Sequence, residues 1–202
     1  VSGNVTQPAL LEAATAVDNV SCHGVANGVV ELTVTGGTTP YIFDWDNGAT
    51  TEDLNNVGPG SYSVLVTDEN GCTTTASAVV TEPDTLQALS VDVNPTCFEG
   101  NDGSIDLTVS GGLGPYLVSW SNGDNSADIS GLSDGTYTAT IVDQNGCIYS
   151  YSTTLSDPNL IIPTVTADGP TIFCQGDSVT LTSSGADSYS WTPNGETTQS
   201  IT

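Results

Sequence analysis

Neither lysine nor arginine occurs among the 202 residues and histidine occurs once, against 24 aspartates and glutamates, so the formal net charge is −24 and the pI about 4.1. Phosphate backbones and anionic bilayers are bound through cationic side chains that this chain lacks, which sets aside nucleic acid binding and direct membrane insertion. Without lysine there is no Schiff-base chemistry, no phosphate-cradling Walker loop and no Lys–Asn isopeptide crosslink. Without arginine there is no bidentate carboxylate clamp. The abundant serines and threonines are accompanied by one histidine and no lysine, so no nucleophile–base pair stands out and the chain reads as non-catalytic. No hydrophobic run is long enough to span a bilayer. An initiator methionine and a leader are also absent, and the chain reads as a window on a longer polypeptide.

The acidity is not that of a disordered tail. Only 12% of residues are charged and 37% are hydrophobic, with strand-like patterns throughout. High like charge disperses the protein and resists collapse of one unit onto another.

An internal period of 75 residues organises the chain. Residues 22–72 align without a gap on 97–147, with nineteen of fifty-one pairs identical. These include the double glycines 36–37 and 111–112, Pro40-Tyr41 and Pro115-Tyr116, Trp45 and Trp120, Tyr62 and Tyr137, and Asn70-Gly71-Cys72 and Asn145-Gly146-Cys147. Pro8, Pro83 and Pro158 share the offset. Shared residues are presumed scaffold. The expected organisation is the end of a preceding repeat at 1–8, repeats at 9–83 and 84–158, and a partial third module at 159–202. The links around Pro83 and Pro158 are short and stiff, suiting a semi-rigid rod.

Within each repeat, alternating apolar residues predict strands at 29–35 and 105–110, 41–45 and 116–120, 61–68 and 136–143, and 73–81 and 148–155. Weaker ones are expected at 86–93, 51–54 and 126–129. Asn-Gly turns punctuate them, and no segment has helical period. The predicted fold is all-β, a tandem array of small antiparallel sandwiches of immunoglobulin or fibronectin type. Trp45, Trp120, Tyr62 and Tyr137 are expected in the cores, with 134–137 resembling a tyrosine corner.

Each repeat has two cysteines fifty residues apart. Identical placement in both copies reads as structural disulfides in an oxidising compartment, Cys22–Cys72 and Cys97–Cys147, each worth roughly 4 kcal/mol in the chain-entropy model. Cys174 then pairs outside the segment. The rival pairing, Cys72–Cys97 and Cys147–Cys174, would staple neighbouring modules and stays open. Zinc is disfavoured, since C-x-x-C is absent and the lone His23 has Phe98 at its aligned position. No cofactor is expected. Calcium is a weak candidate at Asp44 with Asp46, Asp68 with Glu69, Asp143, and Glu99 with Asp102, although none forms a D-x-D-x-D-G loop; turn-shaping is the simpler role for Asp68 and Asp143. Asn4-Val5-Thr6 and Asn19-Val20-Ser21 match the N-linked sequon.

The run C-x-x-G/N-x-x-G…L-T-V-x-G-G-x-x-P-Y-x-x-x-W-x-N-G…G-x-Y…D-x-N-G-C, present at 22–72 and 97–147, resembles the SprB-type repeat of giant surface adhesins in gliding Bacteroidetes. The third module, with Cys174 and Trp191 but no GG-x-x-PY element, resembles Ig-like modules of such proteins, whose Gly-Cys endings imply a partner for Cys174 within its own module. The resemblance implies export by a type IX secretion system, display on the outer-membrane surface, and adhesion to a substratum or polysaccharide, with gliding motility in the best-known member. Thr85 and Ser178 lie in motifs resembling Bacteroidetes O-glycosylation sites. Two functions follow: a non-catalytic adhesive filament acting through many weak contacts, or a carbohydrate- or calcium-dependent binding module of a secreted enzyme. Edge strands without lysine leave self-association as a further outcome.

Overall fold

In a computed structural model, which describes residues 7–160, 162–172, 174–186, 188–192 and 195–202, the first repeat contributes β1 (Glu12–Asp18), β2 (Gly28–Thr35), β3 (Ile42–Trp45), β4 (Leu54–Val57), β5 (Gly60–Thr67) and β6 (Thr73–Val80). The second contributes β7 (Gln87–Val93), β8 (Gly103–Ser110), β9 (Leu117–Trp120), β10 (Ile129–Leu132), β11 (Gly135–Val142) and β12 (Ile148–Leu155). In each repeat two three-stranded antiparallel sheets face one another. Their orders are β1-β2-β4 and β3-β5-β6 in the first, and β7-β8-β10 and β9-β11-β12 in the second. These are the A-B-E and C-F-G sheets of an immunoglobulin or fibronectin sandwich. The architecture is all-β, with tandem modules.

Alternation explains which side each strand buries. Val30 and Leu32 of β2, Leu54 of β4, Trp45 of β3 and Val64 and Val66 of β5 point into the first core, and Ile105, Leu107, Trp120, Ile129, Ala139 and Ile141 repeat the set in the second. Trp45 and Trp120 end the short third strand of each repeat with exposures of 2% and 3%. Their indole nitrogens donate to Thr51 O and Ser126 O at 2.9 Å, so burial leaves no polar group unpaired. Tyr62 and Tyr137 pack against the cores. Their hydroxyls donate to Gly58 O at 2.9 Å and Ser133 O at 3.1 Å, each four residues upstream. The fourth strands lie at Leu54–Val57 and Ile129–Leu132, three residues beyond the expected 51–54 and 126–129. The indole anchors hold Thr51 and Ser126 outside the sheet.

Cross-sheet bonds define the two ends of each sandwich. At one end the turn after β5 meets the loop after β2, with Thr38 N donating to Asp68 Oδ2 at 2.9 Å, and the chain before β1 joins them through Gly37 N to Ala9 O at 2.9 Å. Gly36 is required there. Its φ is +71°, and a Cβ would fall 1.9 Å from Leu10 O; at Gly111 the values are +73° and 1.9 Å from Thr85 O. At the other end the loop after β1 meets the exit of β6, Val20 N donating to Thr81 O at 3.2 Å. The chain therefore enters each sandwich at one end and leaves at the other.

The disulfide corrects the expected pairing. Cys22 is bonded to Cys147, with Cα atoms 5.8 Å apart across a separation of 125 residues, while Cys72, Cys97 and Cys174 are free and exposed. Cys22 lies in the loop after β1, at the exit end of its sandwich, and Cys72 in the turn after β5, at the entry end. Eight-residue strands separate those ends by roughly 25 Å, far beyond the reach of a disulfide. The same holds for Cys97 and Cys147. The rival Cys72–Cys97 fails too, since those residues sit at the outer ends of the pair of modules. A third sheet, β13 (Val165–Ala167), β14 (Leu181–Ser183) and β15 (Ser200–Ile201) in that order, resembles the first sheet of each repeat.

Candidate functional site

The most constructed locus is the junction where the exit end of the first sandwich meets the entry end of the second. On the first side, Asn19 Oδ1 accepts from Thr81 N at 2.8 Å, and Asn27 clamps Ser21 by accepting from its N–H at 3.0 Å and donating to its Oγ at 2.8 Å. Glu82 of the link accepts from Gly24 N at 2.7 Å and lies 3.3 Å from His23 Nδ1. The link is thereby fastened to the loop that carries Cys22, and the single histidine has a structural neighbour rather than a nucleophile.

On the second side, Asp143 builds the turn. Its carboxylate accepts from Leu113 N at 2.9 Å, Asn145 N at 2.9 Å and Cys147 N at 2.8 Å. Burial opposes ionisation, but the N–H groups of Leu113, Cys147, Asn145 and Gly146 outweigh it and hold the carboxyl below its ordinary value. Asp68 forms the same cage in the first repeat, with Asn70 N at 3.0 Å, Cys72 N at 2.8 Å and Thr38 N at 2.9 Å. There the Cys72 N–H is the largest influence lowering the pKa. Each carboxylate shapes its turn and spends its lone pairs on N–H donors, an arrangement unlike the open oxygen cage a calcium ion takes.

Across the junction Asn145 Nδ2 donates to Ser21 O at 2.9 Å beside the Cys22–Cys147 bond. The sequence reading named Ser21 in a sequon and Asn145 in the shared Asn-Gly-Cys turn but gave neither a part in a junction. The second asparagine is shared by both repeats, and that identity was the signal available.

The remaining candidates lie apart from this locus. Asp44 and Asp46 are exposed at β3, where Asp46 Oδ2 accepts from Ser63 N at 3.0 Å. Asp102 accepts from Thr96 Oγ1 at 2.6 Å and Thr96 N at 2.9 Å, and these bonds, the hydroxyl's first, lower its pKa. Glu99 N donates to Asp157 Oδ2, and Glu69 N to Thr38 O at 3.0 Å. Among the described residues no three histidine, cysteine or acidic side chains gather in metal-binding geometry. Thr85 and Ser178 are exposed. The Asn4 sequon lies outside the described residues, and Asn19 is occupied at Thr81. With Trp45 and Trp120 buried, neither forms a sugar-stacking platform.

No curated protein is similar to the chain. Among solved structures, the N-terminal eight Ig domains of Down syndrome cell adhesion molecule isoform 1.30.30 match at 13% identity and TM-score 0.40, over 74% of this chain and 25% of that one. A structure on the basis of Dscam isoform specificity matches at 14% and 0.34, over 75% of this chain and 47% of that one. Dpr2 Ig1-Ig2 in complex with DIP-Theta Ig1-Ig3 matches at 12% and 0.33, over 94% and 82%. The chain spans a quarter of the first of these and about half of the second. The sandwich is defined by its strand order, independently of these distant likenesses. The SprB repeat family matches residues 14–50 and 90–125, two segments in register at the 75-residue offset that hold the double glycine, the Pro-Tyr pair and the core tryptophan. Over these two segments the chain is similar to SprB repeats.

Proposed function

We propose that this chain is a length of a cell-surface adhesin filament that projects from an outer membrane, with modules at 9–83, 84–158 and 159–202 as its units. The similarity to SprB repeats and the two-sheet sandwich support a non-catalytic, extracellular repeat role. The observation that carries the finer reading is the covalent junction. The exit end of one sandwich is bonded to the entry end of the next through Cys22–Cys147, and the link between them is fastened by Glu82. An end-to-end joint of this kind transmits extension, as a stalk or tether needs, and repetition multiplies weak contacts into avidity.

The partners on this reading are a substratum or polysaccharide surface outside the cell and, at the cell, type IX export and motility machinery. Net charge of −24 keeps filaments apart unless edge strands pair. Live-cell labelling with an antibody against residues 9–158 tests the proposal. Label moving along the cell surface supports a motile adhesin, and stationary surface label supports a passive tether. Label confined to the medium overturns both.

A further inference from the structure

We propose that Cys22–Cys147 is one link of a continuous disulfide series in which each repeat is bonded to its neighbours and never to itself, with Cys72 and Cys97 the sites that take the next repeats. The repeat offset makes Cys97 the equivalent of Cys22, and Cys72 the equivalent of Cys147. Both equivalents are bonded here, whereas Cys72 and Cys97 are exposed thiols at the outer ends of the pair.

Both outer sockets are already built. Around Cys72, Asp68 makes the three backbone bonds that Asp143 makes around Cys147, including 2.8 Å to the cysteine N–H in each case. Asn70 occupies the place of the junction-crossing Asn145, its Nδ2 donating to Thr38 Oγ1 at 2.8 Å. In the loop of Cys97, Asp102 stands at the position of Asn27 and clamps Thr96 as Asn27 clamps Ser21. Asn94 Oδ1 accepts from Ser156 N at 2.9 Å as Asn19 accepts from Thr81. A sandwich standing on the exit end of the second repeat, joined through Pro158 as the second is joined through Pro83, brings its own Asn-Gly-Cys turn to Cys97.

The partner of Cys97 is therefore the turn cysteine of a following repeat in the same polypeptide, and the partner of Cys72 is the loop cysteine of a preceding one. Each bond forms by joining two thiols. The two protons and two electrons pass to a disulfide-bearing oxidoreductase, which is reduced to its dithiol. Along such a series each turn cysteine lies twenty-five residues before the next loop cysteine, as Cys72 does before Cys97, and the bridge from there reaches the turn cysteine two repeats on, so two unfolded repeats extend by only about one sixth of their 150 residues. This inference does not depend on where the filament is displayed.

The test lengthens the whole chain by one copy of residues 84–158 inserted after Pro158. In the copy, the exposed positions equivalent to Phe98 and Ile148 carry Phe98→Leu and Ile148→Val as mass tags. The protein is oxidised, its remaining thiols are alkylated, and it is digested unreduced with an acid-specific protease, since trypsin has no site. The expected result is the Cys97 peptide joined to the tagged turn peptide of the copy, with Cys22–Cys147 retained; Cys97→Ser in the same protein leaves the tagged turn cysteine alkylated. Alkylated Cys97, a Cys97–Cys147 peptide, or Cys97 joined to Cys72 of a second molecule in a reducible ladder overturns the series.

Discussion

Removing the bridge by Cys22→Ser tests the junction through the reach of the chain. The bond closes a loop of 125 residues. When the protein is pulled by its ends, only the segments outside 22–147 extend, however completely the sandwiches unfold. An extended residue spans about 3.6 Å, so C22S lengthens the fully unfolded molecule by roughly 450 Å. The within-repeat pairing would place fifty residues behind Cys22, and C22S would then release only about 180 Å. Single-molecule force extension of wild-type and C22S protein, each without reductant, separates the two values. A gain near 180 Å, or none, refutes the junction bridge. In the chain-entropy model a loop of this length also stabilises the pair of modules by roughly 5 kcal/mol, which a denaturant melt of the same two proteins measures.

Gly111→Ala places a Cβ 1.9 Å from Thr85 O at φ +73°, whereas Gly123→Ala at φ +91° meets nothing within 4 Å. Left-handed strain alone costs about 1–2 kcal/mol, so urea melts show both variants destabilised, G111A clearly the more; equal losses would refute the close approach. Asp143 and Asp68 have depressed native pKa values, so their stabilisation is full above the ordinary 3.8 and disappears as pH falls through the lower native values. Asp143→Asn, with one acceptor oxygen in place of two, lowers the melting temperature at pH 7 and narrows the difference from wild type as the pH falls below 3.8; a difference independent of pH would refute the carboxylate cage. Exposed Thr85 and Ser178 are proposed glycan acceptors, and unmodified masses for both peptides from protein purified from its native cells would end that proposal.

Much of the fold was legible because its signals are local. Alternation in 30–34 and 105–109 assigns a strand and its buried side, the Asn-Gly turns end hairpins, and the 75-residue offset makes each assignment twice. Trp45 and Trp120 were legible as core because they recur in the same register with a strand on either side. The fourth strands were placed three residues early, since nothing local shows that the indole of Trp45 takes Thr51 O out of the sheet.

The cysteines mark the limit. Sequence alone determined that their spacing repeats and that two are equivalent to the other two. The partner depends on which end of the sandwich each occupies. Counting β2 to β5 as four simple reversals returns Cys72 to the end where Cys22 lies. In the tertiary structure β3 and β4 are short and run in the same direction on opposite sheets, β3 pairing with β5 and β4 with β2. The chain therefore crosses the sandwich an odd number of times between the two cysteines. A sheet switch costs no particular residue and leaves no periodic trace. Only the packed structure decided that Cys22 and Cys147 meet across a junction while Cys72 and Cys97 lie at the outer ends, because that choice is made by strand direction rather than by side-chain chemistry.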